Sequence, residues 1–378
     1  MDSPLLSIVV PTKNRYPYLE KLVELIDGFH QQEIELVIQD NSDNNAEFLS
    51  FLNRREYPFI RYAYRPDQIP VTTNADLAIL NSTGKYVCFI GDDDGVCRNI
   101  IDYVRWMDKN KVESLRSEPP ISYSWPGTGG FVFDSSARLA FRLPSGKREF
   151  ITDFSSIRKG ILKRGATDQG KNPRIYCGIV KREVLNKVYS KAGTFFPGPS
   201  PDMASSMALS FFVHKHVIID EITVLAGSCS KSTAGMGKNH QHIRQIQDVP
   251  WLPKDSLEKW EKSVPRLWTG ETIYAESAIK SIRAMGQEQE LRHMSYPYLY
   301  AAFCVYHFSS FDQILHLLSF KSFIPFSIGL FKVSLIRLVH FMKNLIRRLS
   351  LTSNNVAVYE NVIDIIECER LVNNACRK

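Results

Sequence analysis

The first hundred residues alternate between short apolar runs and stretches with helical spacing, and this alternation restricts the fold most. Apolar runs typical of buried strands cover the segments 5–10, 34–38, 59–64 and 86–90. A helical pattern follows Pro17, which suits the first position of a helix, and a second covers 72–80. The β-α-β order predicts an α/β protein with a Rossmann-like, mostly parallel central sheet flanked by helices.

Polar side chains follow three of these predicted strands, at the point where each strand ends. The first strand ends at the loop 11–15, the second at Asp40, and the fourth at the acidic run Asp92, Asp93 and Asp94. Ligands of parallel sheets bind beyond the carboxyl ends of the strands. We therefore expect the three clusters to meet on one rim of the sheet.

The acidic run places three like charges side by side directly after an apolar strand. Repulsion raises the pKa of adjacent carboxyls unless a cation neutralises them. Mg²⁺ and Mn²⁺ prefer oxygen ligands and are often shared between carboxylates and substrate phosphates. The run therefore predicts a metal and phosphate site, with a solvated acidic turn as the alternative. The chain has neither a P-loop motif nor a dinucleotide-binding glycine motif after the first strand.

Four segments carry a resemblance to a known family. They are SIVVPTKNR at 7–15, ELVIQDNS at 35–42, the helix around Asn74, and GKYVCFIGDDD at 84–94. Together they resemble family 2 glycosyltransferases, which have the GT-A fold. The resemblance implies that Asp40 contacts the nucleotide base and that the acidic run supplies the D-x-D motif. Gly91 stands where many relatives carry the first aspartate, so the identity of the metal-binding pair stays open.

The resemblance and the position of the polar clusters define a set of predicted donor-binding residues: Pro11, Thr12, Asn14, Arg15, Asp40, Asn74, Asp92 and Lys231. The predicted ligands of Mn²⁺ or Mg²⁺ are Asp93, Asp94, Asp92 and His240. His242 is equally available, and either histidine is otherwise a solvated residue of a surface loop. Arg15 is either a phosphate contact or a solvated turn residue, and Lys231 belongs to a small polar loop with backbone N–H groups suited to a diphosphate.

An inverting transferase needs a general base that takes the proton of the acceptor hydroxyl. The segment 195–204, FFPGPSPDMA, resembles the family element that carries this base at the start of a helix. We predict that Asp202 is the base. The alternative is a plain helix N-cap, a role that aspartate fills well.

The C-terminal part of the chain has a different pattern, and we place a boundary near 245. Residues 1–245 are predicted to form the GT-A domain, with nucleotide-sugar binding in 1–100 and the acceptor side in 101–245, and residues 246–378 a helical extension. Segment 321–350 carries many apolar residues, six basic residues and no acidic residue. Its longest uncharged stretch is shorter than the ~20 residues that span a bilayer. A basic amphipathic helix at a membrane surface is predicted, with a core-packing or dimer-forming helix as the alternative.

In the middle of the chain, helices are predicted at 178–189 and 203–213, strands at 131–133, 140–143 and 217–226, and a polar loop at 227–242. The seven cysteines form no C-x-x-C pair, which indicates free thiols in a reducing compartment. The net charge of +7 offers a basic surface to phosphates or anionic lipid.

The combined prediction is a cytoplasmic, metal-dependent, inverting glycosyltransferase, peripheral on the inner membrane. By family preference its donor is a UDP-sugar, and its acceptor is a saccharide or a polyprenyl-linked saccharide of polysaccharide or lipopolysaccharide assembly. The alternatives are a nucleotidyltransferase and a degenerate, non-catalytic GT-A binding module. The C-terminal helices are a candidate surface for a homo-oligomer, and no nucleic-acid partner is predicted.

Overall fold

The structure is a computed structural model that describes residues 3–118, 121–128, 136–232, 243–349 and 355–376. Its strands are β1 (Leu6–Thr12), β2 (Ile34–Asp40), β3 (Ile60–Tyr64), β4 (Tyr86–Phe89), β5 (Gly95–Val96), β6 (Ser114–Ser117), β7 (Ile121–Ser124), β8 (Arg138–Arg142), β9 (Arg148–Ile151), β10 (Gly178–Lys181), β11 (His216–Ile219), β12 (Val224–Leu225), β13 (Gly227–Ser228), β14 (Arg244–Gln245), β15 (Leu267–Trp268) and β16 (Val356–Tyr359). Its α-helices are α1 (Tyr16–Asp27), α2 (Ala46–Leu52), α3 (Val71–Leu80), α4 (Ile100–Lys109), α5 (Phe154–Lys163), α6 (Arg182–Ala192), α7 (Pro201–Leu209), α8 (Gly270–Ala284), α9 (Tyr296–Tyr306), α10 (Asp312–Leu315), α11 (Phe320–Leu349) and α12 (Ile365–Cys376). Short 3₁₀ turns lie at Ile246–Asp248, Glu288–His293 and Phe308–Ser310.

The central sheet has eight strands in the order β3-β2-β1-β4-β10-β6-β11-β9. Its first four strands are all parallel. In its second half β10 runs antiparallel to both neighbours, β6 and β11 are parallel, and β9 is antiparallel. The mixed α/β sheet with its many helices confirms the predicted fold class.

Burial on both faces of the sheet explains why the first strands are almost continuously apolar. Ile8 and Val10 of β1 pack into the core on the side of α1, whereas Val9 packs with α3 on the opposite face. In α1 the buried residues Leu19, Leu22, Val23 and Ile26 recur at helical spacing, and Pro17 lies in the first turn. Helix α3 begins after Pro70, one residue before its predicted start.

Several predicted elements in the middle of the chain differ from the structure. The segment 178–189 is not one helix, because its first residues form β10 between β4 and β6 before α6 begins. The predicted strand 217–226 is divided into β11 and β12. Helix α7 ends at Leu209, short of the predicted end at 213, and the predicted strand at 131–133 lies outside the described residues.

The last part of the chain returns to the first domain. Strand β16 pairs with β8 in a four-stranded sheet, and Ile365 and Cys368 of α12 are buried in the same core as α1. Ile365 packs directly against the backbone after the acidic run, since a Cβ built on Gly95 would lie 2.4 Å from Ile365 Cγ1. Residues on both sides of the predicted boundary near 245 therefore share this core. The boundary itself stays a prediction.

Candidate functional site

The carboxyl ends of β1, β2 and β4 form a polar rim. Thr12 and Asp40, the last residues of β1 and β2, are direct partners in the parallel register. The hydroxyl of Thr12 donates to Asp92 Oδ2 at 2.6 Å, which joins the end of β1 to the acidic run. The structure thus brings together the three polar clusters that follow the strands.

Asp40 is fully buried and is held by donors of the protein itself. Its Oδ2 accepts the hydroxyls of Tyr16 and Tyr62 at 2.8 and 2.7 Å, and its Oδ1 accepts the backbone N–H of Ser42 at 2.8 Å. Because a carboxylate has about four acceptor positions, these bonds leave room for about one further donor, on Oδ1.

Asn14 and Asn74 support the rim from two sides. The Asn14 side chain exchanges hydrogen bonds with Asp43, donating at 2.9 Å and accepting from its backbone at 3.0 Å, so it ties the loop after β1 to the loop after β2. Asn74 is buried in α3 and donates to Gln39 O at 3.5 Å. Within the described residues its Oδ1 has no hydrogen-bond partner. Pro11, half-buried, lies inside β1 opposite Gln39.

Arg15 is neither a solvated turn residue nor free for a phosphate. One Nη atom lies 2.8 Å from Asp92 Oδ1, and the other lies 3.6 Å from Asp93 Oδ1. Burial disfavours the charged guanidinium, but Asp92 and Asp93 outweigh this effect and raise the pKa of Arg15 above its ordinary value. The chain therefore supplies one positive charge of its own to Asp92 and Asp93.

The loop that begins with β13 covers the acidic run with backbone N–H groups. Gly227 N–H donates to Asp94 Oδ1 at 2.8 Å, and Cys229 N–H donates to Asp93 Oδ2 at 3.0 Å. A Cβ built on Gly227 would lie 1.8 Å from the carbonyl oxygen of Asp93, so the close approach requires glycine. These two N–H groups, which the sequence assigned to a diphosphate, are directed at aspartates in this structure.

Asp94 has the most complete set of donors in the acidic run. Besides Gly227, its carboxyl accepts the Tyr176 hydroxyl and the Gly91 N–H, each at 2.8 Å. Burial raises the pKa of Asp94 to about 7, and Asp93 adds to the rise. Burial likewise raises the pKa of Asp92 to about 6, although Arg15 opposes it. Burial thus favours the protonated form of two carboxyls of the run.

The acidic run has the right chemistry for Mg²⁺ or Mn²⁺, but its arrangement does not fit one. Arg15 lies against Asp92 and Asp93, and Asp94 is turned toward Tyr176 and Gly227. Across the described ranges, no three histidine, cysteine or acidic side chains are grouped as metal ligands. His240 and His242 lie outside those ranges. We therefore derive no step of the reaction through a metal ion.

Asp202 lies in the first turn of α7, two residues after the N-cap residue Ser200. The N-cap alternative therefore does not apply. Burial raises the pKa of Asp202 to about 6, and Arg174 opposes this rise. Asp202 is also close enough to Tyr176 to raise the pKa of its hydroxyl, together with burial and Asp94. The hydroxyl of Tyr176 itself donates to Asp94 of the acidic run.

Several residues of the site were missed by sequence reasoning. Tyr176 donates its hydroxyl to Asp94 at 2.8 Å, and Trp125 donates its indole N–H to the carbonyl oxygen of Asp93 at 2.8 Å. Tyr16 and Tyr62 hold Asp40. No motif marks these aromatic residues, and only the tertiary fold brings them to the rim. Lys231, a predicted donor contact, is exposed at the edge of the described loop.

Comparison with known proteins assigns the first third of the chain. Residues 7–113 match the family model of glycosyl transferase family 2. This segment, less than a third of the chain, is similar to glycosyl transferase family 2. The match confirms the predicted family and enzyme class, and the sheet with its flanking helices is of the GT-A type. A search of curated proteins finds no match to this glycosyltransferase.

Solved structures with a similar fold include two glycosyltransferases. TarS of S. aureus in complex with UDP-GlcNAc is 14% identical over 86% of this chain and 79% of its own, with a TM-score of 0.46. For TarS with UDP the identity is 15%, over 60% of this chain and 61% of that chain, with a TM-score of 0.40. The mannosyltransferase PcManGT from Pyrobaculum calidifontis, in complex with GDP-Man and Mn²⁺, is 12% identical over 89% of this chain and 87% of its own, with a TM-score of 0.40.

Proposed function

We propose that the protein transfers a sugar, with inversion, from a nucleoside-diphosphate sugar to an acceptor hydroxyl. The observation that supports this proposal most is the position of Asp202. Asp202 lies in the first turn of α7, and burial raises the pKa of its carboxyl to about 6. Its charge also contributes to the raised pKa of Tyr176, whose hydroxyl donates to Asp94 Oδ2. A carboxylate that titrates near neutral pH suits a general base beside a donor site.

The proposed reaction is a single displacement at the anomeric carbon. The acceptor oxygen attacks the anomeric carbon while its proton passes to the Asp202 carboxylate. The bond between the anomeric carbon and the diphosphate oxygen breaks, and the nucleoside diphosphate leaves with the electron pair. Since Asp202 must be ionised to accept the proton, the rate is expected to rise with pH through about 6.

The donor end of the site is proposed on the rim of β1 and β2. Asp40 and Asn74 stay the predicted contacts of a base or ribose, although both side chains are buried in this structure. The donor class follows from the family match. The choice of a UDP-sugar, a lipid-linked acceptor and a role in surface polysaccharide assembly stay predictions, as does location on the cytoplasmic face of a membrane.

A requirement for Mn²⁺ or Mg²⁺ also stays a prediction. PcManGT is a relative solved with Mn²⁺. In this chain the positive charge beside Asp92 and Asp93 comes from Arg15. Turnover measured in EDTA and with added Mn²⁺ decides between the two sources of charge.

The experiment that tests the proposal compares Asp202→Asn with the wild type. Nucleotide-sugars are first screened by thermal shift, because a bound donor stabilises the fold. With the donor so found, Asp202→Asn is expected to bind it normally and to lose transfer by about 10²- to 10⁴-fold. Asp102→Asn, at an exposed position in α4, serves as the matched control.

Near-normal transfer by Asp202→Asn would remove Asp202 from the base role. Donor binding by the wild type, with no transfer to any hydroxyl acceptor and no donor hydrolysis, would instead support the non-catalytic binding module. If nucleoside triphosphates and sugar phosphates raise the melting temperature and nucleotide-sugars do not, the result would support the nucleotidyltransferase.

A further inference from the structure

Helix α11 is the longest described helix, with 30 residues, and its buried residues form only a narrow stripe. Phe326, Gly329 and Val333 are buried, and their spacing of three and four residues places them on one side. Gly329 permits a close approach to α9, since a Cβ built on it would lie 3.0 Å from Ala301 Cβ. From Ser334 to Lys343 every described side chain of α11 is exposed.

The other side of α11 exposes a continuous apolar row. Its members recur every three or four residues and are all at least 46% exposed: Phe320, Ile324, Ile328, Phe331, Leu335, Leu338 and Met342. Such a row covers one face of a helix over its whole length. Large contiguous apolar patches mark a surface that contacts a partner or a membrane.

Basic residues follow the edge of this apolar row. Lys321, Lys332 and Lys343 succeed each other at intervals of eleven residues, about three helical turns, so they form a lysine row along one flank. All three are exposed. The sequence of α11 contains no acidic residue. Lysines beside an apolar face can extend their charged ends toward lipid phosphates while their stems cover apolar surface.

An apolar cavity opens between the packed stripe and the apolar row. It has a volume of about 700 Å³ and lies between α9 and α11. Cys304, Phe308, Phe326, Leu338 and Phe341 are among the residues that line it. The cavity extends the apolar surface of α11 toward the body of the protein, and its lining suits a hydrocarbon chain.

We propose that α11 lies in the interface of an anionic lipid bilayer, with the apolar row among the acyl chains and the lysine row at the phosphates. Charge favours anionic lipid over a second copy of the chain as the partner of this face. A second copy of α11 would bring basic residues together without acidic partners, whereas anionic lipid complements the lysine row.

Phe320–Lys343 is long and apolar enough by length and composition to cross a membrane. A crossing would place Lys332 near the middle of the bilayer, at a cost in free energy. It would also require the stripe around Phe326 and Val333 to leave α9, or α9 to enter the membrane with it. An interfacial position avoids both costs.

The proposal is tested with the full chain by sedimentation with vesicles. Vesicles of phosphatidylcholine alone are compared with vesicles that also contain phosphatidylglycerol, at low and high salt. We expect binding to the anionic vesicles, weakened by salt because the charges are at the surface. The variant Lys321→Glu/Lys332→Glu/Lys343→Glu is expected to bind at least about tenfold more weakly.

Two matched controls separate this surface from general charge and hydrophobicity. Lys111→Glu/Lys163→Glu/Lys254→Glu changes the net charge equally at exposed lysines outside α11 and is expected to bind like the wild type. Phe331→Ser/Leu335→Ser is expected to bind more weakly, whereas Phe150→Ser/Ile363→Ser, at similarly exposed apolar positions elsewhere, is not.

Two results would overturn the proposal. Equal binding to neutral and anionic vesicles that resists both high salt and alkaline carbonate would show an inserted helix. Absence of vesicle binding, with a dimer in light scattering that Phe331→Ser/Leu335→Ser dissociates, would assign the face to a second copy. Donor binding measured on the same preparations shows that the transferase domain is folded, so failure of this proposal is distinct from failure of the proposed transfer.

Discussion

Two regions depart from the usual distribution of polarity, and they do so in opposite directions. They are the rim at the ends of β1, β2 and β4, and the exposed face of α11. At the rim, the ionisable carboxyls of Asp40, Asp92 and Asp94 are buried. On α11, apolar side chains such as Phe320 and Phe331 are 97% and 70% exposed. Either arrangement is costly unless a partner compensates it.

The two regions differ in where that partner comes from. At the rim the chain supplies it, through Arg15, Tyr176 and the backbone of the loop that begins at Gly227. Along the described part of α11, only the stripe of Phe326, Gly329 and Val333 is buried, and Arg337 reaches Val305 of α9 with its guanidinium. The rim is therefore part of the fold, and the exposed face of α11 is not. Substitutions are expected to cost stability at the first and binding at the second.

The largest effect on stability is expected for Arg15→Ala. Removal of the guanidinium leaves Asp92 and Asp93 buried without their cation, which should lower the free energy of unfolding by about 3–5 kcal/mol at pH 8. At pH 5 the loss should be smaller, because Asp92 then becomes protonated. Urea unfolding at the two pH values measures both quantities.

The control for this prediction is Arg105→Ala, which removes the exposed ion pairs with Glu33 and Asp102 and should cost less than about 1 kcal/mol. Equal losses for the two arginines would mean that the rim does not depend on Arg15.

A smaller loss is expected for Gly227→Ala. The added methyl would collide with the carbonyl oxygen of Asp93, so the loop must move away and weaken its bonds to Asp93 and Asp94. We expect a loss of about 1–3 kcal/mol, as for other overpacked sites, measured by thermal unfolding. Gly270→Ala, at the start of α8 where a Cβ meets nothing within 4 Å, should be neutral or stabilising.

Asp202→Asn is expected to stabilise the protein at pH 8 while transfer is lost. The pKa of Asp202 is raised from 3.8 to about 6, so the folded state binds its proton more tightly than the unfolded chain. The stability that this proton contributes is complete below pH 4 and is lost as pH rises through about 6. Asparagine does not titrate, and because Asp202 is partly exposed we expect a gain of only about 1–2 kcal/mol at pH 8.

The gain should vanish when the wild type and Asp202→Asn are compared at pH 4. A variant that is destabilised at every pH would indicate that the carboxyl holds the fold together. In that case the role of the Asp202 carboxyl would be structural, and the base would have to be sought elsewhere in the site.

The smallest effect is expected for Phe331→Ser/Leu335→Ser. Because both side chains are exposed, the free energy of unfolding should change by less than about 0.5 kcal/mol per site, even though membrane binding weakens. Denaturant unfolding of the soluble protein is the measurement. If the free energy of unfolding fell as much as it does for Arg15→Ala, the two regions would not differ in their contribution to stability.

The sequence was sufficient to predict the position of the rim, but not the side-chain contacts within it. Parallel strands bring their carboxyl ends to one edge, so the meeting of Thr12, Asp40 and the acidic run followed from the β-α-β order alone. The Arg15 ion pair did not follow, since the same residue type binds phosphates and carboxylates equally well. Tyr176 was hidden because its role depends on β10 lying beside β4, and the segment containing β10 had a helical pattern.

The C-terminal half shows the same limit at longer range. The helical character of α11 and its unusual composition were readable as a local period. The pairing of β16 with β8 and the packing of α12 on α1 could not be predicted. Partners more than two hundred residues apart leave no local signal in a single sequence.

The contact between Ile365 and Gly95 has a consequence for the order of synthesis. The backbone that follows the acidic run receives its packing from α12, where Glu369 also accepts the N–H of Arg98 at 3.2 Å. Chains grow from the N-terminus, so β4 and the acidic run are made long before α12. The acidic turn therefore lacks this support until α12 has been synthesised and has packed against it.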